Sequence, residues 1–417
     1  RPEDETEDDY ALRDRVVAAA VEASKSGERA LLEEVLEPLH PADIADLLEQ
    51  VEPVDRTAIL KLAGDYIDGE ILSEIDEDIR DDVIEALEPE VLAEAVRELE
   101  SDDVVDLIEG LEPDQQESII GALDVVDRIA VEQALSYPES SAGRLMQREV
   151  VIAPEHWSVG DAIDHLRAHG DLPEQFYHVI LVDPRHRPSA YVTLGRLMSS
   201  RRDVKLADIV EDSFRTFDVT EDEGDVAYAF NQYHLISAPV VDEDGRLAGI
   251  ITIDDAMGIL DEEHEEDVLR LGGVGDESLS NSSLEIVRRR FPWLAVNLGT
   301  AILASLVISL FEDALSAVVA LAVLMPIVAS MGGNAGTQSM TVAVRAIATR
   351  DLTAANALRV VRREGAAGLM NGAIFAIVMG VVGIVWFGEP MIGAVIAAAM
   401  VINLVIAALS GILIPIT

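Results

Sequence analysis

The feature that most constrains this chain is the uneven placement of its charge. Among 417 residues, 78 are acidic and 30 basic, for a formal net charge of −48, yet 49% of the chain is apolar. From residue 291 onward there are only five acids (Glu312, Asp313, Asp351, Glu364, Glu389) and five arginines (Arg345, Arg350, Arg359, Arg362, Arg363). Residues 1–290 therefore carry 73 acids and 25 basic residues. No single compact core accommodates both halves, and the length itself calls for more than one domain.

A helix needs about 20 consecutive apolar residues to cross a bilayer. Residues 292–311, 314–333 (reaching as far as 346), 366–387 and 391–414 meet that need and are nearly free of charge. A soluble core does not string four such runs together. Arg288, Arg289 and Arg290 precede the first run, and Arg345–Arg363 fill the link between the second and third. Glu312, Asp313 and Glu389 occupy the other two links. Positive residues favour the cytoplasmic side, so a multi-pass protein of the plasma membrane is expected, with residues 1–290 in the cytoplasm.

So acidic a portion repels phosphates, which argues against a nucleic-acid partner. Only three lysines occur (Lys25, Lys61, Lys205), and acids cover every segment, as on a halophilic, salt-adapted surface. A metal site must therefore be argued from placement and not from total charge. The absence of cysteine excludes disulfides and thiolate ligands. No signal peptide is expected ahead of the acidic part. The chain opens on Arg1 rather than Met and stops at Thr417 just after an apolar run, so it is expected to be trimmed at both ends.

Residues 1–30 form a charged segment, expected to be partly disordered. Residues 31–137 repeat apolar positions at three- and four-residue spacing, as in an all-α helical repeat array whose short helices need neighbours for burial. Glu52-Pro53, Glu88-Pro89 and Glu112-Pro113 are expected to punctuate helix ends. Residues 138–270 read as helix, strand, strand, helix, twice over (about 138–203 and 204–270), with strands at 178–182, 189–193, 238–241 and 247–253. This α/β pair resembles a tandem CBS module, a fold that binds adenine nucleotides between its halves. Residues 271–290 form an expected connecting helix, and 291–417 an α-helical transmembrane domain.

The most informative segment is Pro326-Ile-Val-Ala-Ser-Met-Gly-Gly-Asn-Ala-Gly-Thr-Gln338. Pro326 frees a backbone carbonyl, and the glycines let the chain bend or approach a neighbour closely. Asn334, Thr337 and Gln338 add side-chain oxygens. Irregular backbone at membrane depth is tolerated where protein or a watery cavity satisfies it. Mg²⁺ gives up its water reluctantly, so neutral oxygens would hold it hydrated. Small residues also mediate helix crossings, which is the plainer account of the glycines alone.

The block Met331-Gly-Gly-Asn-Ala-Gly-Thr-Gln-Ser339, followed by Val344-Arg345-Ala346, resembles the signature of the MgtE family of Mg²⁺ channels. Arg290-Phe-Pro-Trp-Leu294, Asn403 and Gly411-Ile-Leu-Ile-Pro415 are similar too, as is the domain order. The resemblance implies a homodimer with a central pore, Mg²⁺ selectivity, and closure when cytoplasmic Mg²⁺ is high. It also implies a fifth membrane helix with a pore aspartate, which is expected to lie outside this sequence. Within it, Asn334 is the leading pore-lining candidate, with Gly333, Gln338 and Asn403 behind.

Carboxylates running out of the second CBS unit are the sensor candidates: Asp254, Asp255, Glu263, Glu266 and Asp267. The last three stand at i, i+3 and i+4 and crowd one helical face, where a divalent cation would relieve repulsion. The family resemblance places sensor acids here and on Asp102 and Asp106 of the helical domain, while one family acid falls on Gly258. For ATP, Gly249-Ile-Ile-Thr-Ile-Asp-Asp255 resembles the CBS ribose-binding signature, giving Thr252 and Asp255. The first unit has Arg196 in the carboxylate's place.

Other classes fare less well. An intramembrane enzyme needs an acid pair, a His–Glu motif or a serine with a base, yet all eight histidines lie at or before His264. No catalytic set is expected. Neutral oxygens select hard cations without separating Mg²⁺ from Mn²⁺ or Co²⁺.

Overall fold

The computed structural model describes residues 12–109, 111, 113–168, 172–173, 175–274 and 283–417. Residues 1–11, and 275–282 of the expected connecting helix, lie outside this set. By its contacts the chain divides into two units, one essentially residues 1–266 and the other chiefly 284–417.

In the first unit, ten α-helices among the described residues run from Asp14–Ser26 to Val125–Ala134. The first starts inside the stretch read as a charged tail, because Ala20 and Ala23 give it an apolar edge buried in the core. The prolines mark helix starts rather than ends. Pro41, Pro53, Pro89 and Pro113 each open a helix, where a fixed φ fits and the missing N–H costs nothing. Two buried arginines tie successive repeats together. Arg56 donates to the Leu48 carbonyl at 2.8 Å and to Asp82 at 2.8 Å. Arg80 does the same for the next repeat, reaching Asp106 Oδ2 at 2.7 Å and its carbonyl at 2.6 Å.

The CBS pair follows. Each half has a three-stranded sheet: β1 Ile152–Pro154, β2 His178–Val182 and β3 Pro188–Thr193, then β4 Phe217–Asp218, β5 Ser237–Val241 and β6 Leu247–Thr252. In both, a short parallel strand precedes an antiparallel hairpin. The hairpins match the sequence expectation closely, whereas β1 and β4 are too short to show a period of two. The halves join where His178 meets Ser237, the first residues of β2 and β5. Burial holds the His178 imidazole neutral, its pKa pushed down to about 4.

Among the described residues of the second unit, four helices are long and apolar enough to cross a membrane: Ile286–Ser309, Val319–Ala348, Ala357–Phe387 and Pro390–Ile416. Residues 283–290, expected to belong to a separate connecting helix, are the opening turns of the first of these. The fourth helix packs against both the second and the third. Glycines set that closeness. A Cβ on Gly411 would stand 2.3 Å from the Gly336 carbonyl, and one on Gly332 would collide with the Asn403 amide at 2.3 Å. Gly368 and Gly372 meet the backbone of Leu404 and Val401 in the same way.

The expected irregular backbone in the glycine segment is not observed. Val319–Ala348 is one continuous helix through Pro326, Gly332, Gly333 and Gly336. Close approach to the fourth helix, and not bending, is what Gly332 and Gly336 provide.

Candidate functional site

Two polar sites stand out, one in each unit. The first lies where the helical repeats meet the CBS pair. Helix Ser101–Ile108 is pinned by the segment that enters the first CBS half. The Arg148 backbone N–H donates to Ser101 Oγ at 2.8 Å, and that hydroxyl donates to Glu149 Oε2 at 2.9 Å. The Gln147 amide donates to Glu100, and Arg144 pairs with Glu109. These bonds press the acidic start of the helix against Asp254 and Asp255, in the first turn of helix Ile253–Gly272.

The electrostatic result is a buried group of like charges. Burial, then Glu149, Asp255 and Asp254, pushes Glu100 up to about 7. Asp103 rises to about 7 through burial, Glu100 and Asp106. Asp255 also rises to about 7, first by burial and then through Asp254 and Asp103, against the pull of its bond from Thr252. Asp102, only 8% exposed, is raised well above the carboxylate range by burial and by Asp255. Burial without compensating charge is costly, and a divalent cation would remove that cost. Among the described residues, no three Asp, Glu or His side chains stand close enough to hold one ion directly.

The other sequence candidates are placed differently. Asp106 is committed to Arg80. Glu263 stands nine residues beyond Asp254, roughly 13 Å along the helix. It groups instead with Glu109, Asp222 and Glu223, and Glu223 is raised by burial first and then by these neighbours. Glu266 and Asp267 are half-buried farther along, and Gly258 faces open space. Thr252 Oγ1 donates to Asp255 Oδ2 at 2.5 Å, so the ribose-type carboxylate is already oriented. Arg196, its counterpart in the first half, turns to Glu211 at 2.9 Å and the Val210 carbonyl at 2.9 Å. Sequence reasoning missed Glu100, Gln147 and Glu149, whose partners are remote in sequence, and Asp103, which is crowded by the nearby Glu100 and Asp106.

The second site is a cleft of about 260 Å³ among the last three membrane helices, with Asn334, Gln338, Ser339, Glu364 and Asn371 in its lining. Asn334 and Gln338 are exposed and one helical turn apart, while Gly332 and Ser339 of the same segment are buried against neighbours. Gly333 is exposed, with nothing near its α-carbon face. Asn403 is used differently: its amide donates to the Val328 carbonyl at 2.6 Å and locks two helices together.

Comparison with known proteins now becomes informative. Residues 39–140 match the family described as the MgtE intracellular N domain, 142–203 and 206–262 the CBS domain, and 325–417 the MgtE divalent cation transporter. The magnesium transporter MgtE of Thermus thermophilus is 32% identical over 410 residues, 97% of this chain and 91% of that protein. The chain belongs to the MgtE family. MgtE of Bacillus subtilis is 30% identical over 71% of this chain, and MgtE of Enterococcus faecalis 33% over 68%. Those two matches span 66% and 63% of the relatives' own lengths, just under two thirds.

Among solved structures, the cytosolic domain of the Mg²⁺ channel MgtE in complex with ATP is 28% identical, with a TM-score of 0.53. It covers 58% of this chain and 99% of its own. The soluble part of a magnesium transporter is 25% identical, covering 60% of this chain and 98% of its own, with a TM-score of 0.51. The helical domain and CBS pair described above thus have the fold of MgtE cytosolic domains, and the apolar helices fall in the part matched by the divalent cation transporter family.

Proposed function

We propose that this MgtE chain moves Mg²⁺ across the plasma membrane as a homodimer, with the acidic unit in the cytoplasm acting as a Mg²⁺-responsive gate. One observation carries the pathway. Within Gly332–Ser339, Gly332 and Gly336 are spent on packing, whereas Asn334 and Gln338 stay exposed and line the cleft. Their neutral oxygens suit the water shell of a hard cation. Mg²⁺ uptake into proteoliposomes by the full-length protein tests this. Asn334→Ala is expected to lower flux by about tenfold, equivalent to 1.4 kcal/mol. Flux indifferent to that change would sink the assignment. Competition by Mn²⁺ and Co²⁺ in the same assay decides the selectivity.

The gate rests on the buried acids between helix Ser101–Ile108 and Asp254-Asp255. Mg²⁺ there would favour the docked arrangement; without it, like charges would push the parts away from each other. Such a switch needs only that the ion bind one state better than the other. Glu263, Glu266 and Asp267 would extend this response along their helix. Millimolar Mg²⁺ is expected to protect the acidic unit from proteolysis relative to chelator, and Asp102→Asn is expected to blunt the difference.

A nucleotide reading is also favoured, because the similar cytosolic domain was solved with ATP and Thr252 already orients Asp255 here. Calorimetric titration with ATP should give a Kd raised at least about tenfold by Asp255→Asn. An unchanged Kd would assign the nucleotide to other residues.

A further inference from the structure

Glu364 is a carboxylate placed within a membrane helix. It is the eighth residue of Ala357–Phe387, so it sits roughly 10 Å along that helix. Its side chain is only 16% exposed and faces the cleft beside Asn334, Gln338 and Asn371. Ser339 Oγ donates to its Oε2 at 3.2 Å. Arg363 Nη2 stands 3.6 Å from Oε1, but that arginine side chain is 66% exposed and turned largely to solvent. An ionised carboxylate offers about four acceptor positions, so most of its capacity remains. Asn371 lies two turns farther on, on the same helical face, about 10 Å deeper. The second helix runs antiparallel and supplies Gln338 beside Glu364's level and Asn334 nearer that of Asn371.

We propose that Glu364, with Asn371, Asn334 and Gln338, forms a station for a hydrated divalent cation in this cleft. The carboxylate supplies charge, and the three amides bind the ion's water. Ionisable side chains inside membrane segments are rare, face polar cavities and mark ion paths. Size agrees as well: six waters at about 30 Å³ each occupy roughly 180 Å³, and the cleft offers about 260 Å³. This station rests on the Mg²⁺ pathway proposed above and adds to it a charge and a third amide.

The test uses the full-length protein in proteoliposomes. Glu364→Gln keeps the shape and a hydrogen bond to Ser339 while removing the charge. It is expected to cut Mg²⁺ flux at least tenfold and to weaken block by cobalt(III) hexaammine, a rigid mimic of six-water Mg²⁺, by a similar factor. Glu364→Asp, which keeps the charge, is expected to retain block by the mimic even if Glu364→Gln lowers the unfolding midpoint. Glu364→Gln within twofold of the parent would overturn the station, as would unchanged block by the mimic in that variant. If Asn334→Ala still abolishes flux in those cases, the pathway stands and only the station fails; if it too is neutral, the pathway falls with it.

Discussion

At the scale of single residues, the decisive property is where carboxylates lose water. Glu100, Asp103 and Asp255 all reach about 7, against ordinary values of about 4. The docked arrangement therefore binds more protons than an undocked one. Without metal its stability is full below about pH 4 and is lost as pH rises through about 7. In chelator, protection of the Ser101–Ile108 amides, normalised to intrinsic exchange, is expected to fall at least about tenfold between pH 5 and pH 8. Mg²⁺ at pH 8 should restore it. Protection in chelator that ignores pH would count against the buried-acid account. The sequence showed that acids were abundant, and it drew attention to Asp102, Asp254 and Asp255 by position. It could not show Glu100 or Glu149, because the bonds from Gln147 and Ser101 that gather them join residues about one domain apart.

At the scale of elements, two kinds of contact set stability. Asp82→Ala would leave the buried Arg56 without its half-exposed carboxylate partner, which is expected to cost about 1–3 kcal/mol; chemical denaturation of the protein with and without the change measures it. Gly411→Ala would drive a methyl group into the Gly336 carbonyl, at a cost of roughly 1–3 kcal/mol, read as a lower unfolding midpoint in detergent. A midpoint unaffected by Gly411→Ala would mean that the helices can separate freely. Long periodic helices and the two hairpins were legible in the sequence because their apolar spacing repeats. Strands β1 and β4, three and two residues long, were not, since so short a run has no period. Proline was misread in direction: Glu-Pro pairs look like stops, but φ fixed near −65° serves the first helical turn equally well.

At the scale of the whole molecule, the separation of acid from apolar sequence was the most legible feature, and both units follow from it. With 73 acids against 25 basic residues before position 291, self-repulsion should be strong at low ionic strength and screened within about 10 Å at 0.1 M salt. Raising KCl from 0.1 to 2 M is expected to lift the unfolding midpoint of the acidic unit and leave that of the apolar helices nearly unchanged. Equal shifts would argue against a salt-adapted surface. The glycine seam has a different consequence. Because Gly332 and Gly336 are filled by Asn403 and Gly411, they are not available as a hinge. Any opening of this portion must then move the last three helices as one stiff plate, sliding or tilting at its edges. Mutations that loosen the seam should change how fast such a plate moves before they change which ion passes.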